Sequence, residues 1–221
     1  MLEVPHMPPP RPMLWPLRAV STAVTKFEHR PDGRRRILIR HAELKGVSPE
    51  MLAWWYRHVV GDMEYAGARW PRYLVWHPLD HISYEIVRPS RGGGIDTGAR
   101  VRIREAFQRN ADNLLDITVT VERIDEHAAI IAHRVLGFPA LRLINRFEPT
   151  PTGTNYVTDM MIGSTGMIGR RVFNPLIGAR ILPGRHARAW VRHHIEEIGN
   201  LENFLPELFA QNALGLEKAV A

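Results

Sequence analysis

The order of secondary-structure signals along the chain restricts its fold more than any other feature. Short β-like stretches follow one another through the middle of the sequence and are bounded by Gly, Pro, Asn and Asp residues; they lie at 72–77, 81–87, 99–109, 113–123, 127–136, 140–148 and 154–162. Such closely spaced polar reversals are typical of an antiparallel meander. Apolar residues then recur at helical spacing from 186 to 213. The pattern predicts one curved antiparallel sheet that wraps around a long carboxy-terminal helix.

The residues before the meander add a strand and short helices. Alternating apolar and polar residues predict a first strand at 35–44. Ser48 followed by Pro49 is a strong helix start, and a short second helix is expected at 62–65. This order of elements is that of an α+β helix-grip domain, the Bet v 1-like or START-like architecture. Such a domain leaves a cavity between the sheet and the long helix, where an apolar ligand can bind.

Proline placement suggests how the chain is divided. Residues 1–34 are predicted to form a proline-rich arm, 35–213 the helix-grip domain, and 214–221 a tail. Six prolines before residue 17 disfavour helix in the arm, because proline lacks a donor and biases its predecessor to extended backbone. Pro206 lies inside the long helix, so we expect a kink or break near Phe204.

Composition excludes several kinds of site and partner. The chain has no cysteine, so any metal must be held by His, Asp or Glu. The net charge is +6, but the arginines are scattered, and the densest run, 34–36, opens a strand whose alternating side chains cannot all face one phosphate backbone. The amino terminus has no continuous apolar stretch. We expect a cytoplasmic protein that binds a small molecule rather than nucleic acid or membrane, with monomer and homodimer both left open.

The first candidate site lies in the run 73–81. It places His77, Asp80 and His81 around a proline, where one predicted strand ends and the next begins. The alternative interpretation is an ordinary polar turn in which His77 and Asp80 cap each other.

The second candidate site lies inside the long helix. His193 and Glu197 are four residues apart and therefore share one helical face. An imidazole nitrogen and a carboxylate oxygen can both bind a metal at roughly 2.0 to 2.2 Å. The alternative is an exposed helix face with charge pairs, although neighbouring apolar residues place this pair beside the buried stripe.

Both runs resemble those of the diacetylphloroglucinol and phloretin hydrolases, a family of zinc enzymes with a Bet v 1-like fold. The resemblance covers the chain from about Ser48 onward and is carried by Tyr73, Trp76-His77-Pro78-Leu79-Asp80-His81, His193-His194-Ile195-Glu196-Glu197, Asn200-Leu201 and Leu205-Pro206-Glu207-Leu208. It implies that His81, His193 and Glu197 bind Zn²⁺ together with a glutamate from a middle strand. We expect His77 and Asp80 to organise the turn that presents His81, because a metal-bound imidazole usually donates its other nitrogen to a carboxylate or a carbonyl.

We choose Glu105 as the fourth ligand. It would share one strand face with Val101 and Ile103, and a carboxylate in an apolar row needs a metal or a counter-charge. The alternative is an ion pair with Arg102 or Arg104.

The resemblance also implies an activity, the hydrolysis of the carbon–carbon bond between an aromatic ring and its acyl group. Tyr73, His81 and Glu197 would be catalytic, and Tyr73, Tyr84 and Asn145 would contact an aromatic ketone. Tyr84 stands where the family has an amide, and the stretch around Asn145 lacks the family's histidine. We therefore expect poor cleavage of diacetylphloroglucinol itself. The alternatives are a ligand-binding protein without catalysis and a polyketide cyclase or lyase.

Overall fold

The computed structural model describes residues 7–167, 171, 174–175 and 184–214. Within these residues the strands are β1 Val24–His29, β2 Arg35–Arg40, β3 Leu44–Lys45, β4 Asp62–Tyr65, β5 Ala68–Pro71, β6 His81–Arg88, β7 Arg100–Ala106, β8 Leu114–Ile124, β9 Ala128–Val135, β10 Phe138–Pro149 and β11 Gly153–Ile162. The helices are α1 Pro49–His58, α2 Arg72–Trp76 and α3 Gly184–Ala213. Short 3-10 turns occupy Val20–Thr22, Phe107–Arg109 and Ala111–Asn113.

The described strands form one large antiparallel sheet and a small hairpin. The large sheet has the order β1-β2-β11-β10-β9-β8-β7-β6, with β3 paired to the start of β11, while β4 and β5 pair with each other. Strands β6 to β11 are neighbours in both sequence and space, which confirms the predicted meander. The pairing of β2 with β11 brings the early part of the chain beside the last strand.

The long helix α3 packs against this curved sheet, so the helix-grip architecture is confirmed. The first half of α3 contributes Ile195 to a core with Ile39 and Met160 of the sheet. Its second half contributes Leu201 to a larger core around α1. No helix in the described residues is long and apolar enough to cross a membrane.

Two local predictions are wrong. The stretch 62–65, expected as a helix, is strand β4, in which Met63 and Tyr65 are buried and alternate with exposed residues. The stretch 72–77, expected as a strand, contains the helix α2. Arg72 fixes its start, because its backbone N–H donates to the carbonyl of Gly61 at 2.8 Å. Helical spacing then buries two aromatic rings beside the candidate site, a tertiary requirement that overrides strand propensity.

The structure also differs from the prediction near both ends of the chain. Residues 24–29, assigned to the arm, form strand β1 on the edge of the sheet, so the sheet begins before residue 35. Helix α3 is continuous through Pro206 rather than broken near Phe204. Residues flanking Pro206, including Leu205 and Leu208, are buried, and packing holds this turn in place despite the missing donor. Of the predicted tail, 215–221 lies outside the described residues.

Candidate metal centre

Two histidines from different elements direct one ring nitrogen each into the same buried space. His81 opens β6, His193 lies in α3, and both are at most 1% exposed. The Nδ1 of His81 donates to the carbonyl of Tyr73 at 2.5 Å, and the Nδ1 of His193 lies 3.0 Å from a carboxylate oxygen of Asp80. Neither Nε2 atom has a hydrogen-bond partner. Hydrogen on Nδ1 leaves a lone pair on Nε2, which is the form of imidazole that binds a metal.

Two glutamates face these unpartnered nitrogens. The Nε2 of His81 lies 3.6 Å from Glu105 and 3.3 Å from Glu197. The Nε2 of His193 lies 3.6 Å from the other carboxylate oxygen of Glu105 and 3.8 Å from the same oxygen of Glu197. Four donor atoms held tetrahedrally at zinc distances lie roughly 3.3 to 3.6 Å apart. Donor atoms of His81, Glu105 and His193 lie within 4.8 Å of one another, and one oxygen of Glu197 lies beside both Nε2 atoms. This donor set fits a zinc ion, and the orphaned nitrogens are the strongest sign of it.

The fold explains why these four residues meet. His81 and Glu105 are opposite each other in the β6–β7 register, so they project side by side from one face of the sheet. His193 and Glu197 lie one turn apart on the helix that packs across that face. The alternative ion pairs for Glu105 do not form, because Arg102 pairs with Asp116 and Arg104 with Glu85.

Each glutamate is also held from its other side. The hydroxyl of Tyr73 donates to Glu105 at 2.5 Å, and its ring stacks on that of His81 with centroids 3.9 Å apart. The Nδ1 of His194 lies 2.5 Å from the second oxygen of Glu197. All four predicted ligands thus have one atom fixed by a neighbour and another directed into the shared space.

Burial and mutual charge set the protonation of the group. Burial, helped by the neighbouring His193 and His77 and opposed by the carboxylate of Glu197, lowers the pKa of His81 to about 4, so its imidazole is neutral. Burial also acts to lower the pKa of His193, but the carboxylates of Glu105 and Asp80 raise it to about 9. Burial raises the pKa of Glu105. For Glu197, the hydrogen bond from His194 and the charge of His193 outweigh burial and hold its pKa well below the usual value. Two carboxylates in so little solvent favour a compensating cation between them.

His77 and Asp80 support this centre from behind. One oxygen of Asp80 accepts from the backbone N–H of Gln108 at 3.0 Å and faces His193, while the other accepts from that of Arg109 at 3.2 Å. His77 accepts the N–H of Asp80 and contacts Glu196. Burial would raise the pKa of Asp80, but the bond from His193 and its neighbours lower it to about 2. His77, Asp80 and His193 come close enough to hold a metal themselves, yet the contacting atoms already have protein partners.

The amino-terminal arm reaches the same turn, which the sequence did not reveal. The backbone N–H of Arg11 donates to Pro78, and its buried guanidinium donates to the carbonyl of His81 at 3.1 Å. Arg109 binds the carbonyls of Pro8 and Leu79. An arginine within a proline-rich stretch carries no signal of such a contact.

A cavity of about 110 Å³ opens from the centre between the sheet and α3. Glu105 and Glu197 lie on its wall, as do the three residues predicted to contact substrate, Tyr73, Tyr84 and Asn145. Most of the wall is apolar and comes from Val59, Trp76, Ile103, Leu115, Ile117, Val119, Ala129, Ile131, Leu141, Leu143, Met160 and Trp190. Tyr56 and His194 also line the cavity and were not singled out from the sequence.

No family model and no curated protein sequence matches the chain. Among solved structures, the crystal structure of Ara h 8.0201 is 11% identical, covers 83% of this chain and 97% of its own, and has a TM-score of 0.43. Protein Ms6760 from Mycobacterium smegmatis is 12% identical over 77% and 94%, with a TM-score of 0.42. Protein SA2116 of unknown function from Staphylococcus aureus is 12% identical over 84% and 98%, with a TM-score of 0.45. Structural similarity at this level carries no argument about what this chain does.

Proposed function

We propose that the protein is a zinc-dependent hydrolase that cleaves the carbon–carbon bond between an aromatic ring and its acyl group. The observation that carries the proposal is the meeting of two unpartnered imidazole nitrogens and two carboxylates at the wall of an apolar cavity. His81, Glu105, His193 and Glu197 would hold the ion. A bound zinc ion in such a site polarises a carbonyl and lowers the pKa of water towards roughly 7.

The side chains around the centre suit a ketone whose carbonyl points at the ion. Tyr73 bridges the centre and the cavity, with its hydroxyl on Glu105. Burial, and then the nearby charge of Glu105, raises the pKa of Tyr73 well above its usual value. Such a tyrosine keeps its hydrogen and orients a phenolic oxygen by hydrogen bonding rather than releasing a proton.

The cavity supports a substrate with a single aromatic ring. Its volume is small beside the pockets of roughly 300 to 1,000 Å³ that take drug-sized ligands, and its wall is mainly apolar. The hydroxyl of Tyr84 makes no hydrogen bond with the rest of the described chain and can bind a ring substituent. The side-chain amide of Asn145 already forms hydrogen bonds with Thr158 and Tyr56. Tyr84 therefore offers one free hydroxyl, which is fewer contacts than the several hydroxyls of diacetylphloroglucinol require.

Product analysis with defined ketones tests this proposal. The zinc-loaded protein would be given acylphloroglucinols, phloretin-like ketones and simple acylphenols, and release of the carboxylic acid would be followed. We expect acid from at least one acylphenol, with little from diacetylphloroglucinol, and no acid from His193→Ala. Rapid cleavage of diacetylphloroglucinol would contradict the proposed substrate class. Binding of the ketones without release of acid would favour a ligand-binding protein, and a rearranged product would favour a cyclase or lyase.

A further inference from the structure

A chain of buried hydrogen bonds joins the metal centre to the far wall of the cavity, and Thr158 is its junction. The hydroxyl of Thr158, which is fully buried, lies 2.8 Å from Nε2 of His194, 3.2 Å from Nε2 of His41 and 3.0 Å from Oδ1 of Asn145. On its other side, His194 contacts Glu197. None of these contacts is needed to close the sheet, since the register of β10 and β11 is fixed by backbone pairing.

The hydrogens of this junction can be counted. The carboxylate of Glu197 only accepts, so Nδ1 of His194 carries the hydrogen between them and Nε2 of a neutral His194 is an acceptor. The single hydroxyl hydrogen of Thr158 therefore lies between two acceptors, Nε2 of His194 and Oδ1 of Asn145, and its oxygen can accept from His41. Asn145, directly opposite Thr158 in the sheet, donates in turn to the hydroxyl of Tyr56 at 3.3 Å. One hydroxyl therefore fixes the tilt of His194 and the amide of Asn145 together.

The ring of His194 is also held along its face. It stacks on Trp190 with centroids 4.9 Å apart and an interplanar angle of 14°, which opposes rotation of the ring about its Cβ–Cγ bond. The contact of Nε2 with Thr158 holds the edge of the ring opposite Nδ1, the atom that meets Glu197. Carboxylate orientation at a metal depends on such outer contacts.

We propose that Thr158 is a positioning residue that orients the carboxylate of Glu197 through His194. This inference rests on the proposed metal centre and adds a residue that the sequence motifs do not include. The hydroxyl of Thr158 contacts Asn145, His41 and His194, and of these three only His194 bonds Glu197, so the effect of Thr158 on Glu197 passes through one imidazole.

The neighbouring Thr154 provides a matched control. It lies in the same strand, is equally buried, and uses its hydroxyl on the carbonyl of Val47 at 2.7 Å, away from the centre. Thr154→Val and Thr158→Val remove the same group at the same burial. Thr158→Ser restores the hydroxyl without the methyl. If Thr158→Val does not fold, Thr158→Cys takes its place, because a thiol is a poor hydrogen-bond partner.

Zinc affinity would be measured by competition with a chelator on full-length protein, and stability by urea unfolding of each variant with zinc removed. We expect Thr158→Val to weaken zinc binding about tenfold. Thr158→Ser and Thr154→Val should stay within about twofold of the unsubstituted protein, although both valine variants lose stability. Equal zinc affinity in Thr158→Val and Thr154→Val would overturn the inference while leaving the metal centre intact. An unsubstituted protein that binds no more zinc than His193→Ala would overturn the proposed centre and this inference with it.

Discussion

Replacing Asp80 by Asn tests whether zinc binding depends on the negative charge beside Nδ1 of His193. Its carboxylate accepts from two backbone N–H groups and faces Nδ1 of that histidine. In Asp80→Asn one acceptor oxygen becomes an NH₂ group. If the amide oxygen stays towards His193, the new NH₂ meets the N–H of Arg109; if it turns away, the NH₂ meets the N–H of Gln108 and Nδ1 of His193. In either orientation, the new NH₂ group faces another hydrogen-bond donor.

The expected loss follows from these contacts. The pKa of Asp80 falls from 3.8 to about 2, which corresponds to about 2 kcal/mol of preference for the charged form. An unsatisfied buried donor costs a further ~1 to 3 kcal/mol, although part of that loss appears as fold stability rather than metal binding. We therefore expect zinc affinity to fall by about 10- to 100-fold, the usual range for a partner of a metal-bound histidine.

Chelator competition would compare Asp80→Asn with His81→Ala and with Asp112→Asn, an exposed carboxylate that controls for the lost charge. Asp80→Asn should retain zinc at high metal concentration, whereas His81→Ala should not. A loss as complete as that of His81→Ala would make Asp80 a ligand. An affinity equal to that of Asp112→Asn would refute the reasoning about His193.

Further predictions concern the arm and pH. Arg11→Gln should weaken zinc retention several-fold, because Arg11 donates to the carbonyl of His81. Arg91→Gln, at an exposed position, should leave zinc retention unchanged, and equal retention by the two variants in chelator competition would contradict the prediction. The folded pKa of His193, about 9, lies above the unfolded value of 6.5. Protonation of His193 therefore stabilises the zinc-depleted protein by about 3 kcal/mol below pH 6.5, and this is lost as pH rises through 9. Zinc displaces that proton, so zinc affinity should rise about tenfold per pH unit up to pH 9, and a flat profile would contradict the pKa.

The pattern of polar turns and the final amphipathic helix were enough to predict the sheet and its covering helix. Local propensity failed where tertiary contacts decide the backbone. The segment that carries Tyr73 is rich in strand-forming residues, yet it forms a helix anchored by Arg72 on Gly61. In 62–65 the buried Met63 and Tyr65 alternate with exposed residues, which is the period of two of a strand.

The sequence likewise predicts one part of the candidate site and not the other. His193 and Glu197 could be paired from helical spacing, and Glu105 could be placed from the apolar row around it. Their approach to His81 depends on the β6–β7 register, which spacing alone does not give. Thr158 and the arm contact the site from distant parts of the sequence, and such contacts leave no periodic signal.

Elemental analysis of purified protein tests the central claim most directly. The unsubstituted chain, dialysed against buffer without chelator, should carry about one zinc per chain, and His193→Ala and Glu197→Ala should each carry far less. Urea unfolding would show that both variants remain folded. No zinc in the unsubstituted protein, or full occupancy in both variants, would contradict the metal centre described above.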